Sequence, residues 1–472
     1  MPDLDAIDPH GEGNIGIRFT MNLAERLRSM EINRAVLWGI AHRGWSFFAG
    51  PISIFLVASC FTPEVQGYYY SFSSLLALNI FAELGLGVVV VNFSSREWAS
   101  LKLSPDGMVQ GDATAKVRLS CLLKKVLQWF LFAAIILCWI LLLGGLWLFQ
   151  VRETTVEWTS PWLFLAVLAS IQFLGLPFFS VLEGCNFVGE VNLIRLIAGV
   201  GASVGLWLGI VCGLGLWVNA CGLLVNVSVS GFLLAKWFGR FFQHLLRVPV
   251  QGDEISWWND LFPMQWRIAV SWISGFFSYN LFVPVLFRFH GPEVAGKMGM
   301  TWTVVSTVTT ITNAWVSPQF PRFGLFLARG EHGALEDLVK KLVRITVGVG
   351  CFLNISLILV VALIGNWWGA FPERFLPLGP TILFMLGNMI SIALVPIAGY
   401  LRAHREEPLY LVSVLSGVLI TGSNLILGFF KGAAGMGLGF FLTQVVLLPV
   451  VWRTALNFRK KRHGRAASGG GS

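Results

Sequence analysis

Charge is what this sequence has least of. Of its 472 residues only 12% are Asp, Glu, Lys or Arg, against 55% hydrophobic, and the mean hydropathy is +0.71. A water-soluble core cannot hide that much apolar surface, so the solvent for most of the chain is lipid. Carboxylates are nearly missing from the apolar runs: of 25 acidic residues, only Glu83 lies well inside one. Strict alternation of apolar and polar residues is also missing, which excludes an outer-membrane barrel. The seven cysteines are odd in number and show no CxxC spacing, so they are expected as buried thiols rather than as disulfides or metal ligands. The histidines have no metal-ligand spacing either. Met1 to Glu12 is acidic and polar, so no cleavable leader is expected and the first apolar run is read as the insertion signal.

Long segments outside the apolar runs are scarce. Those opposite the N-terminus, near 150–160 and 366–376, are too short to carry a catalytic face, so a polysaccharide polymerase or ligase is excluded and no enzyme is expected. Asp3-Leu4-Asp5 fits a metal-dependent glycosyltransferase pattern but has no nucleotide-binding domain behind it. Asn226-Val227-Ser228 and Asn354-Ile355-Ser356 fit N-glycosylation, yet both lie inside apolar runs. The final SGGGS is read as a flexible linker and set aside.

Twelve apolar runs are present, at about 36–61, 68–92, 127–149, 161–183, 193–213, 216–238, 265–289, 297–317, 344–366, 377–400, 409–429 and 433–452. A run such as Phe130 to Phe149 crosses a hydrocarbon layer of about 30 Å as a helix rising 1.5 Å per residue. With the N-terminus in the cytoplasm, 28 of the 34 Lys and Arg fall in cytoplasmic segments and five on the other side. That asymmetry places both termini inside. The net charge of +9 is then a topology signal, and basic residues spread over many segments do not suit nucleic acid.

Pro63-Glu64-Val65-Gln66-Gly67 returns as Pro292-Glu293-Val294-Ala295-Gly296 at an offset of 229, with six identities over residues 47–67. Six runs per half is an even number, so both halves enter the membrane from the same side as parallel repeats. The expected fold is an all-α polytopic membrane protein, about twelve transmembrane helices in two six-helix bundles around a central cavity. The expected divisions are a tail and amphipathic helix (1–35), the first bundle (36–238), a cytoplasmic linker (239–264), the second bundle (265–455) and a basic tail (456–472). Ile15 to Met30 suits either a helix on the membrane surface or one docking a soluble partner. The linker, with Phe241, Phe242, Trp257 and Trp258, reads as a surface segment, and Leu335 to Leu342 as an amphipathic linker helix.

Charge inside a bilayer marks function until shown otherwise. Folding the first two spans back about position 64.5 brings Arg43 within one helical turn of Glu83 in depth. Two readings stand: a salt bridge or snorkelling Arg that only fastens the hairpin, and an Arg43 that meets an anionic head group while Glu83 tunes it or carries a coupling proton. Arg267, Arg288 and Lys297 sit near cavity mouths, where interfacial anchoring competes with phosphate guidance. Asn79, Asn280, Asn313, Thr309, Thr310 and Thr312 suit sugar hydroxyls or, equally, interhelical hydrogen bonds.

FTPEVQGYYY (Phe61 to Tyr70), AELGLG (Ala82 to Gly87) and NFSSREW (Asn92 to Trp98), in that order, with an echo at Pro318 to Gly324, resemble the polysaccharide and O-antigen flippases of the multidrug/oligosaccharidyl-lipid/polysaccharide exporter superfamily. The motif likeness covers about residues 45–100. The resemblance implies a multi-pass protein of the bacterial inner membrane that moves an undecaprenyl-pyrophosphate-linked oligosaccharide to the periplasmic leaflet by alternating access. It implies no cofactor beyond an H+ or Na+ gradient. The partners implied are the lipid-linked substrate, membrane lipids and other polysaccharide-synthesis proteins. Arg43 matches the pyrophosphate-holding cation; Arg267, Asn79, Asn280 and Asn313 are further candidate substrate contacts from their positions in the chain. The competing reading, a MATE-like cation-coupled drug antiporter, calls for carboxylates in the cavity.

Overall fold

In lipid a segment must satisfy its own backbone N–H and C=O groups, so apolar runs become helices. The computed structural model describes residues 34–150, 155–249, 255–403 and 410–468; the tail and the amphipathic segment at 15–30 lie outside them. The first half comprises α1 (Arg34–Cys60), then one broken span made of α2 (Pro63–Leu76), α3 (Asn79–Glu83) and α4 (Leu86–Trp98). A hairpin of β1 (Leu101–Leu103) and β2 (Val109–Gly111) leads to α5 (Ala113–Phe149), α6 (Thr159–Gly184), α7 (Val188–Val211) and α8 (Trp217–Arg247). A π-helical turn (Trp257–Leu261) opens the second half: α9 (Phe262–Tyr279), α10 (Phe282–His290), α11 (Pro292–Val316), α12 (Phe320–Ala328), α13 (His332–Trp367), α14 (Leu378–Ala403) and α15 (Tyr410–Ser468).

Each of the twelve runs is helical over its described residues, apart from end residues and the breaks at 77–78, 84–85 and 280–281. Seven helices are individually long and apolar enough to cross a membrane, and the bent pairs α2/α3 with α4 (48°) and α9 with α10 (41°) raise this to nine among the described residues. α1 and α11, at 27 and 25 residues, have the length as well. α15 is two helices meeting at Gly432, whose φ of 57° reverses the chain.

Within the first half α1 packs along α7, α7 along α8, and α6 against α4, α5 and α8. In the second, α15 packs on α9, α10 and α14, and α11 on α10, α13 and α14. The halves meet where the repeated pentads meet. Pro63 and Pro292 each open a helix at the position that has no use for an N–H, and Thr62 caps α2 by accepting from the Val65 N–H at 3.2 Å. The start of α2 then lies directly on the start of α11. A Cβ on Gly67 would overlap the Pro292 carbonyl, one on Gly296 would come within 2.8 Å of the Gly67 nitrogen, and one on Gly299 would strike Tyr70. Backbones come this close only where side chains are absent.

Gln66 crosses the same contact. Only 1% exposed, its Nε2 donates to the Gly296 carbonyl at 3.0 Å and the Arg374 carbonyl at 3.2 Å. The second repeat has Ala295 there, so this bond has no symmetric twin. Around it, Tyr68 and Phe149 of the first half meet Phe287 of the second at 4.9 and 5.1 Å between ring centroids, and Phe55 meets Trp368.

Several local expectations change. The basic segment after α4 contains the β-hairpin, turned at Pro105-Asp106-Gly107 with Gly107 at φ 80°. α8 continues to Arg247 and buries Phe241, Phe242 and Leu245, so the two phenylalanines assigned to a surface linker are core residues instead. Leu335 and Leu342 do lie on one helical face, but as the opening turns of α13, closed over Phe323 of α12. Of the seven cysteines only Cys121 and Cys185 are buried, while Cys60, Cys212 and Cys351 are exposed. A thiol is a small hydrophobe and needs no burial where the surroundings are lipid.

The close crossing sets an expected outcome. Gly67→Val should destabilise the protein by about 1–3 kcal/mol through overpacking, seen as a lower midpoint when the detergent-solubilised protein is heated and followed by size exclusion. Gly144→Ala, where a Cβ meets nothing within 4 Å, should leave that midpoint unchanged or slightly raised.

Candidate functional site

The helices of the first half surround a cavity of about 560 Å³ whose polar lining includes His42 of α1, Asn79 of α3, Gln172 of α6, Arg195 of α7 and Asn226 of α8. α1 is held at the edge of this cavity by two indoles: Trp45 Nε1 donates to Ser203 Oγ at 3.2 Å and Trp207 Nε1 to Ser53 Oγ at 2.9 Å. Gln172 Nε2 donates to Asn226 Oδ1 at 3.1 Å, closing one wall.

Arg195 owes its place to a tight helical hairpin. α6 ends with Asn186 in the left-handed region at φ 67°, and the Phe187 N–H bonds to the Leu182 carbonyl at 2.9 Å, a Schellman closure with Asn in the usual glycine position. The reversal sets Glu183, in the last turn of α6, against Arg195, seven residues and about 10 Å into α7. Arg195 Nη1 and Glu183 Oε1 are 2.5 Å apart, and the guanidinium lies over the Phe179 ring at 5.6 Å. A guanidinium carries five N–H donors in a planar fork. One carboxylate and one ring face leave it able to take a second anion from the cavity.

Arg43 stands elsewhere. It is exposed on α1, beside His42 but not in the cavity lining, and no Arg43–Glu83 ion pair forms. Matching the two residues in depth is sound only if α1 folds back along the broken span; α1 packs along α7 instead. Glu83 ends α3, where Leu84 (φ 50°) and Gly85 (φ 70°) break the span. Its carboxylate accepts the Gly87 N–H at the start of α4. The missing side chain at Gly87 is what lets Glu83 Oε1 and Ser180 Oγ converge there. Glu83 therefore serves a helix N-terminus, a favourable seat for negative charge, inside the first half rather than between halves.

The remaining candidates separate. Asn79 lines the first-half cavity. Asn280 sits at the α9–α10 break. Asn313 is half-buried on α11 with its Oδ1 lacking a hydrogen-bond partner. Arg267 lies on α9 with its side chain outside the described ones. Thr309 donates to Asn388 Oδ1 on α14 at 2.9 Å, while Thr310 and Thr312 bond back to their own helix, which is the interhelical or local use open to such residues. Arg288 lies over Trp147 of the other half at 5.2 Å. Lys297 and Glu373 lie at a mostly apolar pocket of about 550 Å³ beside α11, α13 and α14, with Thr301 and Thr381 also in its lining. Next to it burial pushes the Arg374 guanidinium below its ordinary range, opposed by Glu373. No cluster of metal-ligating side chains occurs among the described residues. Sequence reasoning misses Arg195 because it counts there only as one more basic residue near a loop; it stands at the head of the apolar run, yet two turns into α7.

The fold has known counterparts. No protein-family model matches the sequence and no curated protein matches it at a significant level, but solved structures do. The chain is similar to a multidrug resistance MATE family transporter of the MOP superfamily in an inward-facing conformation, at TM-score 0.63 and 14% identity over 88% of this chain and 96% of that one. It is similar to the lipid II flippase MurJ in an inward closed conformation, at TM-score 0.62 and 13% identity over 88% and 86%. It is also similar to the MATE multidrug transporter DinF-BH in a ligand complex, at TM-score 0.54 and 14% identity over 92% and 95%. The fold of these transporters is thus the fold of this chain, nearly end to end.

If Glu83 acts as a helix cap, Glu83→Ala should lower stability by about 1 kcal/mol and Glu83→Gln, which keeps an acceptor, by less. Thermal unfolding of the two purified variants beside wild type checks the order.

Proposed function

We propose that this protein carries a lipid-linked glycan with an anionic linkage, of the undecaprenyl-pyrophosphate oligosaccharide type, from the cytoplasmic to the periplasmic leaflet of a bacterial inner membrane, in the service of surface or exopolysaccharide synthesis. The observation that carries the reading is Arg195: one guanidinium, braced by Glu183 and Phe179, in a cavity whose other lining residues are amides, His42, Ser230 and apolar groups. A phosphate group satisfies such a fork with paired hydrogen bonds. Arg195 thus takes the role first given to Arg43, with Asn79, Gln172 and Asn226 as neutral polar contacts. Transport follows by rocking one half against the other about the α2–α11 crossing, driven by an H+ or Na+ gradient. Other polysaccharide-synthesis proteins are the expected partners.

One observation favours a second reading. Among the described residues Glu83 lacks the cationic partner expected for it, and a membrane-embedded carboxylate of that kind is what the antiporter reading calls for.

Glycan display in a flippase-deficient strain decides between them. Wild type should restore display, Arg195→Ala should reduce it at least tenfold at equal membrane abundance, and Arg43→Ala should retain most of it. Normal display with Arg195→Ala would remove the cation from the mechanism. Failure of wild type to restore display, together with a rise in resistance to cationic drugs, would hand the protein to the antiporter reading.

A further inference from the structure

The lumen of the second half has a different chemistry from that of the first. Between α9, α14 and α15 lies a cavity of about 290 Å³ whose lining contains no Asp, Glu, Lys, Arg or His. It presents Ser278 and Tyr279 from α9, Ser391 from α14, and Ser413, Ser416 and Gln444 from α15. By liquid water volume the space corresponds to about ten molecules, enough for a sugar ring.

Most of the polar groups keep hydrogen-bonding capacity that the protein itself does not use. Ser278 spends its hydrogen on the Ser274 carbonyl at 2.9 Å and Ser391 on the Gly387 carbonyl at 3.3 Å, which leaves their oxygen lone pairs as acceptors. Tyr279 shares a hydrogen bond with Ser391, and its ring is fixed by stacking on Trp302 at 6.0 Å and 15°. Ser413, Ser416 and Gln444 make no hydrogen bond among the described residues. Gln444 is the telling member: it is only 4% exposed, yet its amide has no protein partner. Its amide faces the cavity and is open to a hydrogen-bonding ligand there.

We infer that this second-half cavity is a subsite for an uncharged, polyhydroxylated sugar, so that the two halves divide the substrate: the first-half cavity takes the anionic linkage at Arg195, and the second takes the glycan at Ser413, Ser416 and Gln444. Hydroxyls that both donate and accept suit a site mixing bound-up serines, which accept, with free serines and an amide, which do both. A charged sugar finds no counter-ion there. The assignment rests on the proposed transport of a lipid-linked glycan.

The test measures the affinities of nanodisc-embedded protein for two probes, a polyprenyl-pyrophosphate-linked neutral disaccharide and the sugar-free polyprenyl pyrophosphate. Wild type should prefer the glycosylated lipid by at least tenfold. Ser416→Leu and Gln444→Leu should erase that preference, while affinity for the sugar-free lipid stays within twofold; Ser413→Ala should reduce the preference in part. Retained preference in both leucine variants would overturn the subsite. So would an equal loss of affinity for both probes, which marks a structural defect, or a Na+-dependent change in Trp302 fluorescence without any glycan preference, which marks a cation site. Wild type binding neither probe would instead sink the lipid-linked glycan reading on which the subsite rests.

Discussion

Two backbones touching at Gly67 and Gly296 hold the halves of this protein together. Membrane helices gain little from the hydrophobic effect when they associate, since lipid is as apolar as leucine, so close packing and a few buried hydrogen bonds must supply the cohesion. The crossing supplies both: glycines that admit the Pro292 carbonyl, and one amide, Gln66, that reaches two carbonyls of the other half. The aromatic cluster of Tyr68, Phe149 and Phe287 surrounds this contact.

The breaks in the helices complement this joint. The span containing Glu83 is interrupted by two left-handed residues, Leu84 and Gly85, and a side chain on Gly85 would collide with Ile268 of α9. The carboxylate caps the resumed helix at Gly87, so a charge that looked like a lone functional group also has a structural use. The charge we propose for a ligand is Arg195, and its partner Glu183 comes from the neighbouring helix of the same half. Each half has its own cavity, one ionic and one hydroxylic, and the substrate we propose, with a charged linkage and a neutral glycan, has chemistry for both.

Much of the architecture was legible. Hydropathy located every apolar run because lipid forces such runs into helices whatever they pack against, and the repeated Pro-Glu-Val-x-Gly marked the crossing before its meaning was visible. The β-hairpin was not anticipated, although Pro105-Asp106-Gly107 between short apolar stretches carries a turn signal. The Arg43–Glu83 pairing failed for a definite reason: periodicity and span length give depth in the membrane but not which helix stands beside which. The helices chose α1 against α7, and that choice moved Arg43 out of the cavity and left Arg195 in it.

Local physics, then, decided what could be decided one segment at a time: the lipid solvent, the helical state and the near-equal halves. Each follows from composition and period, which act within a few turns of chain. Tertiary structure alone decided the contacts among residues far apart in sequence: Gln66 with Gly296, Glu183 beside Arg195, and serines from three helices around Gln444. Those contacts depend on how similar apolar surfaces interlock, and surfaces that all look alike to lipid are told apart only by their shape.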